Sequence, residues 1–523
     1  MLVTVIKASL AWSLWLTHAC SYAAGPNVAF FYGANPPWDE LKAYDVVVVE
    51  PDHVADPNAH ATPRTQIFAY LSVGEVEYDR RYAAAIPQGA ARGRNEAWSS
   101  HVIDQAHPDW PRFFIDRIVA PLWKAGYRGF FLDTLDSFQL IAKTDEERAQ
   151  QAQGLTATLR ELRRQFPDAK LIFNRGFEVL PELHREAYAV AAESLFRGWD
   201  AKERRYVVVS EADRKWLLGQ LERVRDAYQL PIIAVDYAPP GARDVARDTA
   251  RKIAALGVIP WVSNSDLDQL GVGNIEVTPR KVLMLYDGAG RDAHLYTHRI
   301  HVQAKTPLND LGYAVEYLDI SRALPAYPLV GRYAGIVSWF ADDRAVSQPG
   351  VREWLARQRE HGMRMAVLGN FPFPLTDSLA VAFGLSAGPP RVPRTLTIEV
   401  RDTVMGNEAQ PVADLRGFTP LRANRASATL LRLRSESGDT MDAAALMPWG
   451  GYVLSPYEAA LTPGASGERW LIDPVEFMRR ALALPPLSAN GSIERLARND
   501  FDSTFAPQPR VPLRFSLVGV LEW

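Results

Sequence analysis

At 523 residues the chain is too long for one ordinary domain and is expected to hold two or three. Apolar residues make up 47% and charged residues 23%, which is the balance of a globular protein with ample core. A net charge of -3 excludes the basic stripe of a nucleic-acid-binding surface and provides no strong field to steer a charged polymer.

The first 24 residues differ from the rest. Lys7 precedes an apolar run over 8–16, and Ser21-Tyr22-Ala23 places small residues where a signal peptidase inspects the chain. This predicts a secretory signal over 1–24, too short for a membrane span, with cleavage after Ala23 or Ala24. Cys20 falls inside it, and Thr17-His18-Ala19 is a poor lipoprotein motif. The mature chain then has no disulfide, thiolate ligand or cysteine nucleophile. No later segment is apolar enough to span a bilayer, so a soluble periplasmic protein is expected.

From Val28 to Asn264 a short apolar run ending in a polar residue recurs, with helical stretches between several of the runs. The runs cover 28–32, 46–50, 67–73, 129–133, 171–174, 189–193, 232–236 and 258–263. Continuous rather than alternating hydrophobicity predicts strands buried on both faces, as in a parallel sheet covered by helices. Helical spacing places Leu155, Leu159, Leu162 and Phe166 on one face of 151–166. It does the same for Leu218, Leu221, Val224 and Tyr228 in 215–228. Eight such strands predict a (β/α)8 barrel over 25–275. An open doubly wound sheet is disfavoured because no glycine-rich phosphate loop is present.

Pro279 opens a second unit. Buried strands are expected at 281–286, 315–318, 335–339 and 365–368, with a helix over 351–360. Together they make a three- or four-stranded flavodoxin-like or amidotransferase-like α/β layer. From 395 to about 454 the pattern alternates, which predicts β-hairpins attached to that layer. The unit is read as a noncatalytic domain over 279–487, and 488–523 as a tail without a legible pattern.

In a barrel the chemistry sits at the C-terminal ends of the strands. Those positions hold Tyr32, Glu50, Glu75, Asp133, Asp136, Asn174, Glu193, Asp236 and Asn264. A cup of acids with no histidine cluster suits glycoside hydrolysis, in which one carboxylic acid protonates the leaving oxygen and another attacks or activates water. It suits neither a zinc site nor, without a G-x-S-x-G elbow, a serine triad. No cofactor or metal is expected. Asp133 and Glu193 are the expected catalytic acids, since both end runs of residues that must be buried, where an unused carboxylate is costly. A helix cap is the other reading of Asp133, and of Asp136, which divides between cap and substrate contact. Glu75 follows Gly74 and can bind sugar hydroxyls or hold an arginine. Asn174 and Asp236 read as hydrogen-bonding supports or substrate contacts, and Glu50 as a loop-fixing acid. Among the aromatics Tyr32, Trp38, Tyr70, Phe177, Trp199, Tyr237 and Trp261, flat faces for sugar rings are expected chiefly at Tyr32 and Trp261. The expected substrate-binding set is Tyr32, Tyr70, Glu75, Asp136, Asn174, Asp236 and Trp261.

Four strand-end phrases carry a resemblance: Phe31-Tyr32-Gly33-Ala34-Asn35-Pro36-Pro37, Tyr70-Leu71-Ser72-Val73-Gly74-Glu75, Gly129-Phe130-Phe131-Leu132-Asp133-Thr134-Leu135-Asp136 and Ala192-Glu193-Ser194-Leu195. Over about 28–270 the chain resembles the hydrolase barrel of the Pel exopolysaccharide hydrolase/deacetylase proteins. That barrel is glycoside hydrolase family 166, related to the family 114 endo-α-1,4-polygalactosaminidases. The resemblance implies endo-acting, retaining cleavage of an α-1,4-linked galactosamine/N-acetylgalactosamine polymer in the periplasm, with Asp133 as nucleophile and Glu193 as general acid/base. On that assignment Glu193 is expected in the drier surroundings, which would keep it protonated near neutral pH. The partners implied are the amino-sugar polysaccharide and other exopolysaccharide export proteins. The Pel proteins also carry a metal-dependent deacetylase with Asp and His ligands. No such ligand set is legible here, and that activity is not carried over. A noncatalytic carbohydrate-binding barrel, acting as a scaffold in a secretion complex, stays open as the alternative. It requires one of Asp133 and Glu193 to point away from the cleft or to be held in an ion pair.

Overall fold

The computed structural model describes residues 25–289, 294–340, 350–375, 378–394, 396–401, 419–454 and 472–485. The expected signal over 1–24 and the tail over 488–523 lie outside the described residues.

Eight parallel strands form the barrel: β1 (Val28–Phe31), β2 (Val46–Val49), β3 (Gln66–Ser72), β4 (Gly129–Asp133), β5 (Lys170–Asn174), β6 (Ala187–Glu193), β7 (Ile232–Tyr237) and β8 (Ile259–Ser263). They pair in chain order, and β8 lies against β1. The fold is a (β/α)8 barrel. Both faces of the strands are covered, and Val46, Val47, Val48 and Val49 have no exposed surface. That is why these strands read as unbroken apolar runs. A two-residue strand, Val272–Gly273, adds antiparallel to β8 as a ninth member.

The helices follow their local signals. Helix α1 (Asp145–Gln165) starts six residues before the apolar spacing begins, because Thr144 and Glu147 form a reciprocal capping box. It buries Leu155, Leu159 and Leu162. Helix α2 (Glu211–Tyr228) is capped by the Ser210 hydroxyl, which accepts from Asp213 N at 3.1 Å. It buries Leu217, Leu221 and Val224. Helix α3 (Arg243–Ala254) packs on β8. The first two crossovers are slighter. After β1 there is a single turn, Trp38–Leu41, and after β2 only the 3₁₀ turns Pro51–His53 and Pro57–Ala59. Two antiparallel additions were not anticipated from the pattern. One is a three-stranded sheet after β3 (Glu75–Glu77, Ala91–Asn95, Ser100–Ile103), and the other is a hairpin after β6 (Arg197–Asp200, Arg205–Val208).

The second sheet has its own buried core. Its strands are β9 (Lys281–Tyr286), β10 (Ala314–Asp319), β11 (Gly335–Phe340), β12 (Met365–Gly369), β13 (Leu396–Val400), β14 (Ala428–Ser435), β15 (Thr440–Met447) and β16 (Gly450–Leu454), in the order β10-β9-β11-β12-β16-β15-β14-β13. Helices α4 (Val351–Glu360) and α5 (Pro474–Ala481) belong to it. The parallel layer has five strands rather than three or four. The hairpin strand β16 returns parallel to β12 and fuses the hairpins into one mixed sheet. The close approach needs glycine: a Cβ on Gly450 would lie 1.8 Å from the Met365 carbonyl oxygen.

The two units meet at the barrel loop that follows β1. Arg332 donates to the carbonyl oxygens of Ala34 and Asn35. Its guanidinium lies over the rings of Phe31 and Tyr327 at 5.3 and 4.3 Å. Lys281 adds an ion pair with Asp39 at 2.7 Å. Burial draws the Arg332 guanidinium below its ordinary pKa range, because its charge has given up water for two carbonyl oxygens and two aromatic faces. Arg332→Ala is therefore expected to destabilise this junction by about 2–4 kcal/mol. Hydrogen exchange should quicken at residues 33–41 while the amides of β4 and β5 stay protected. Unchanged exchange over 33–41 would mean the loop holds its shape without the second unit.

Candidate active site

The acid at the end of β4 and the acid at the end of β6 are brought together by the residue that ends β5. Asn174 Nδ2 donates to Asp133 Oδ1 at 2.6 Å and to Glu193 Oε1 at 2.8 Å. Two oxygens bonded to one nitrogen can be no further apart than the sum of those bonds, about 5.4 Å. Each acid has a tyrosine on its other oxygen. Tyr70 Oη donates to Asp133 Oδ2 at 2.9 Å, and Tyr237 Oη donates to Glu193 Oε2 at 2.5 Å. The Tyr32 ring leans on Tyr70, centroids 5.1 Å apart, and completes an aromatic wall. Neither acid forms an ion pair among the described residues.

Electrostatics follow from that crowding. Burial first, and the neighbouring Glu193 carboxylate second, push Asp133 up to about 6, against hydrogen bonds from Asn174, Thr134 and Tyr70 that pull it down. Two carboxyls this close resist double ionisation. Burial also drives the phenols of Tyr32, Tyr70 and Tyr237 well above their ordinary range, so all three remain hydroxyl donors.

The backbone is bent sharply at each of these strand ends. Thr134, Arg175 and Ser194 directly follow Asp133, Asn174 and Glu193, and have φ of 60°, 57° and 62°. A left-handed conformation at a non-glycine residue costs on the order of 1 kcal/mol or more, so each needs compensation. For Thr134 it comes from its hydroxyl, which lies 2.9 Å from Ser72 Oγ and accepts from Gly74 N at 2.8 Å. Gly74 must be glycine, because a Cβ there would stand 2.1 Å from the Thr134 carbonyl oxygen. After Ser194, Asp236 accepts from the amides of Leu195, Phe196 and Arg197, each at 2.7 Å.

Those contacts reassign three residues. Asp236 has no exposed surface and is a support for the turn after Glu193, not a substrate contact. Glu75 is 5% exposed, and its carboxylate accepts from Asn95, Ser100 and Ser137. It ties the three-stranded addition to the loop after β4 and faces no sugar. Trp261 is fully buried, edge-on to Tyr44 at 5.5 Å and tight against Gly271. It offers no face to a ligand. Tyr32, Tyr70 and Asn174 do gather around the two acids. Asp136 stands half-exposed on the rim, 3.6 Å from the Arg175 guanidinium. Tyr237 earns a place in the site that sequence reasoning left open, and the available signal was its position one residue beyond the polar end of the seventh run. Glu50 fixes Arg80, which donates to its two oxygens at 2.7 and 2.9 Å. Among the described residues no group of His, Cys, Asp and Glu could hold a metal ion, and no helix is long and apolar enough to cross a membrane.

The model for glycoside-hydrolase family GH114 matches residues 11–278. The chain belongs to that family. It is a glycoside hydrolase. The glycoside hydrolase domain of PelA from Pseudomonas aeruginosa is 46% identical to it, over 48% of this chain and 100% of that one, with a TM-score of 0.45. The structure of Aspergillus fumigatus Ega3 in complex with galactosamine aligns at 10% identity over 47% of this chain and 93% of that one, with a TM-score of 0.35. No curated protein matches the chain.

Asp236→Ala should strand three backbone amides, that of buried Leu195 among them, and release the turn behind Glu193. A buried unsatisfied donor costs about 1–3 kcal/mol, and a loss in that range is expected in denaturant melts. A variant within 1 kcal/mol of the parent would show that water replaces the carboxylate there.

Proposed function

We propose that the chain is an endo-acting, retaining glycoside hydrolase of an α-1,4-linked galactosamine/N-acetylgalactosamine polysaccharide, acting in the periplasm, with Asp133 as nucleophile and Glu193 as general acid/base. The observation that carries this reading is the single Asn174 amide bonded to both carboxyls. Retaining enzymes hold their two carboxyl groups about 5–5.5 Å apart and inverting enzymes about 6.5–9.5 Å apart; the bound of about 5.4 Å on the bridged oxygens supports the former. The sugar rests on the family, on identity to the PelA hydrolase domain and on the galactosamine complex of Ega3.

In the first step an Asp133 oxygen bonds to the anomeric carbon as the glycosidic C–O bond breaks, and the leaving oxygen takes a proton from Glu193. In the second, Glu193 takes a proton from water, the water oxygen bonds to the anomeric carbon, and the bond to Asp133 breaks. Tyr70 and Asn174 keep Asp133 aimed, and Tyr237 does the same for Glu193. Residues 279–487 take no part in these steps and form a noncatalytic domain. The scaffold reading requires one acid to be turned away or ion-paired, and the bridging amide argues against it.

Asp133→Ala and Glu193→Ala are each expected to lower turnover of a partially deacetylated galactosamine polymer at least about 10³-fold with little change in fold. Proton NMR of the first product should show the parent anomer. Parent-like turnover in either variant removes that residue from the mechanism, and an initially inverted anomer removes the retaining assignment.

The raised Asp133 carboxyl adds a test with a sign. A carboxyl held up in the folded state contributes stability that is full below its unfolded pKa near 3.8 and is lost as pH rises through about 6. Ionising it costs on the order of 3 kcal/mol at most. Asp133→Asn removes the charge, keeps one oxygen to accept from Asn174 Nδ2, and turns its amide to the Tyr70 hydroxyl oxygen, which can accept in turn. It should therefore raise the melting temperature at pH 7.5 by several degrees, and by much less at pH 4, while abolishing turnover. A variant that melts lower than the parent at pH 7.5 contradicts the charge argument.

A further inference from the structure

A second cavity of about 320 Å³ lies where the second sheet meets the barrel, and its charge is opposite to that of the barrel cup. Arg359, at the end of α4, Arg364, just before β12, and Arg425 line it together with Phe383, Trp449 and Gly241, and no Asp or Glu is among the lining residues. Arg80 leans on Glu50 and Arg243 on Glu276 at 2.6 Å, whereas Arg332 at the junction is held by carbonyl oxygens. Arg359, Arg364 and Arg425 form no ion pair with a described residue. Arg364 donates only to the carbonyl oxygens of Ala481 and Pro448, at 3.0 and 3.3 Å. Arg359 lies over the Phe383 ring at 5.1 Å, and its Nε is buried with no partner. Arg425 is exposed at the mouth.

We propose that this cavity is a binding site for a small phosphate-bearing ligand. Three guanidiniums lining one cavity with no Asp or Glu among its lining residues repel one another, and a phosphate dianion neutralises more of that charge than a carboxylate. Guanidinium forks also match phosphate oxygens two at a time. The volume exceeds that of an inorganic ion, and the buried aromatic edge of Phe383 and Trp449 gives an apolar wall, so a sugar-sized phosphomonoester fits the space. The amino-sugar polymer proposed for the barrel carries ammonium groups, which these arginines repel, so the cavity is no extension of the cup. Gly241 brings the barrel into its wall four residues beyond Tyr237. There the two segments touch so closely that a Cβ on Gly241 would stand 2.7 Å from the Gly362 Cα. A ligand in the cavity therefore contacts both units at once.

Isothermal titration of the full chain with inorganic phosphate and with glucose 6-phosphate, at constant ionic strength, tests the assignment. One saturable site is expected, tighter for the ester, together with a rise in melting temperature. Arg359→Gln/Arg425→Gln should weaken it at least tenfold while polymer turnover stays at the parent level. Arg425→Gln alone, at an exposed and unpaired position where folding is not at risk, should weaken it severalfold. No saturable binding by the parent at millimolar ligand, or parent-like binding by both variants, overturns the site. Equal affinity for glucuronate, a monocarboxylate of similar size, overturns the phosphate assignment.

Discussion

One amide nitrogen holds two carboxyl groups within reach of each other, and much of the barrel's upper rim is arranged to keep it there. Like charges at this separation repel, and burial strengthens the repulsion because little water is present to screen it. Asn174 Nδ2 offsets that by donating to both acids, and Tyr70 and Tyr237 donate from the far sides. An asparagine ending β5 is adjacent to β4 on one side and β6 on the other. A side chain there is positioned by the sheet itself to reach both acids, and no loop has to be ordered to place it.

The cost of this arrangement appears in the backbone just beyond it. The residues after Asp133, Asn174 and Glu193 are all left-handed, which turns the chain away as soon as each polar group has been delivered. The compensation is built from buried polar groups that never touch a ligand. Thr134 is locked by Ser72 and Gly74, Glu75 by three donors, and the turn after Glu193 by the Asp236 carboxylate. Strain next to the reacting groups and rigid hydrogen bonding behind them are two parts of one device, because unsupported strain would relax and carry the acids apart.

This explains which features could be read from the amino-acid order. The eight strands were legible because a strand buried on both faces has a local signature, and Val46–Val49 has no other use. Asp133 and Glu193 stand out for a related reason: a carboxylate at the end of such a run is costly unless it is used or paired, and the barrel brings the two together on Asn174. Position at a strand end also put Glu75, Asp236 and Trp261 in the expected substrate-binding set, although Asp236 read equally as a support. Their partners lie far away in sequence, at Ser137, Leu195 and Tyr44, and only the closed barrel reveals that each is consumed by the framework. The five-stranded parallel layer was missed for the converse reason. Nothing local to Gly450–Leu454 distinguishes the last strand of a hairpin from a strand that also pairs in parallel with β12 on its other edge.

The arrangement of the donors bears on how the pair is able to react. Each acid receives one tyrosine hydroxyl and a share of the same amide, and Asp133 has a further hydrogen bond from Thr134. Burial raises the Asp133 carboxyl, whereas the proposed reaction needs the proton on Glu193. A sugar bound with its anomeric carbon over Asp133 supplies the missing bias. As positive charge develops at that carbon, the ionised form of the nearer carboxyl is stabilised, and the proton belongs on the acid beside the leaving oxygen. On this view substrate sets the division of roles, and the shared Asn174 amide lets Glu193 give a proton in the first step and take one in the second without losing its place beside Asp133.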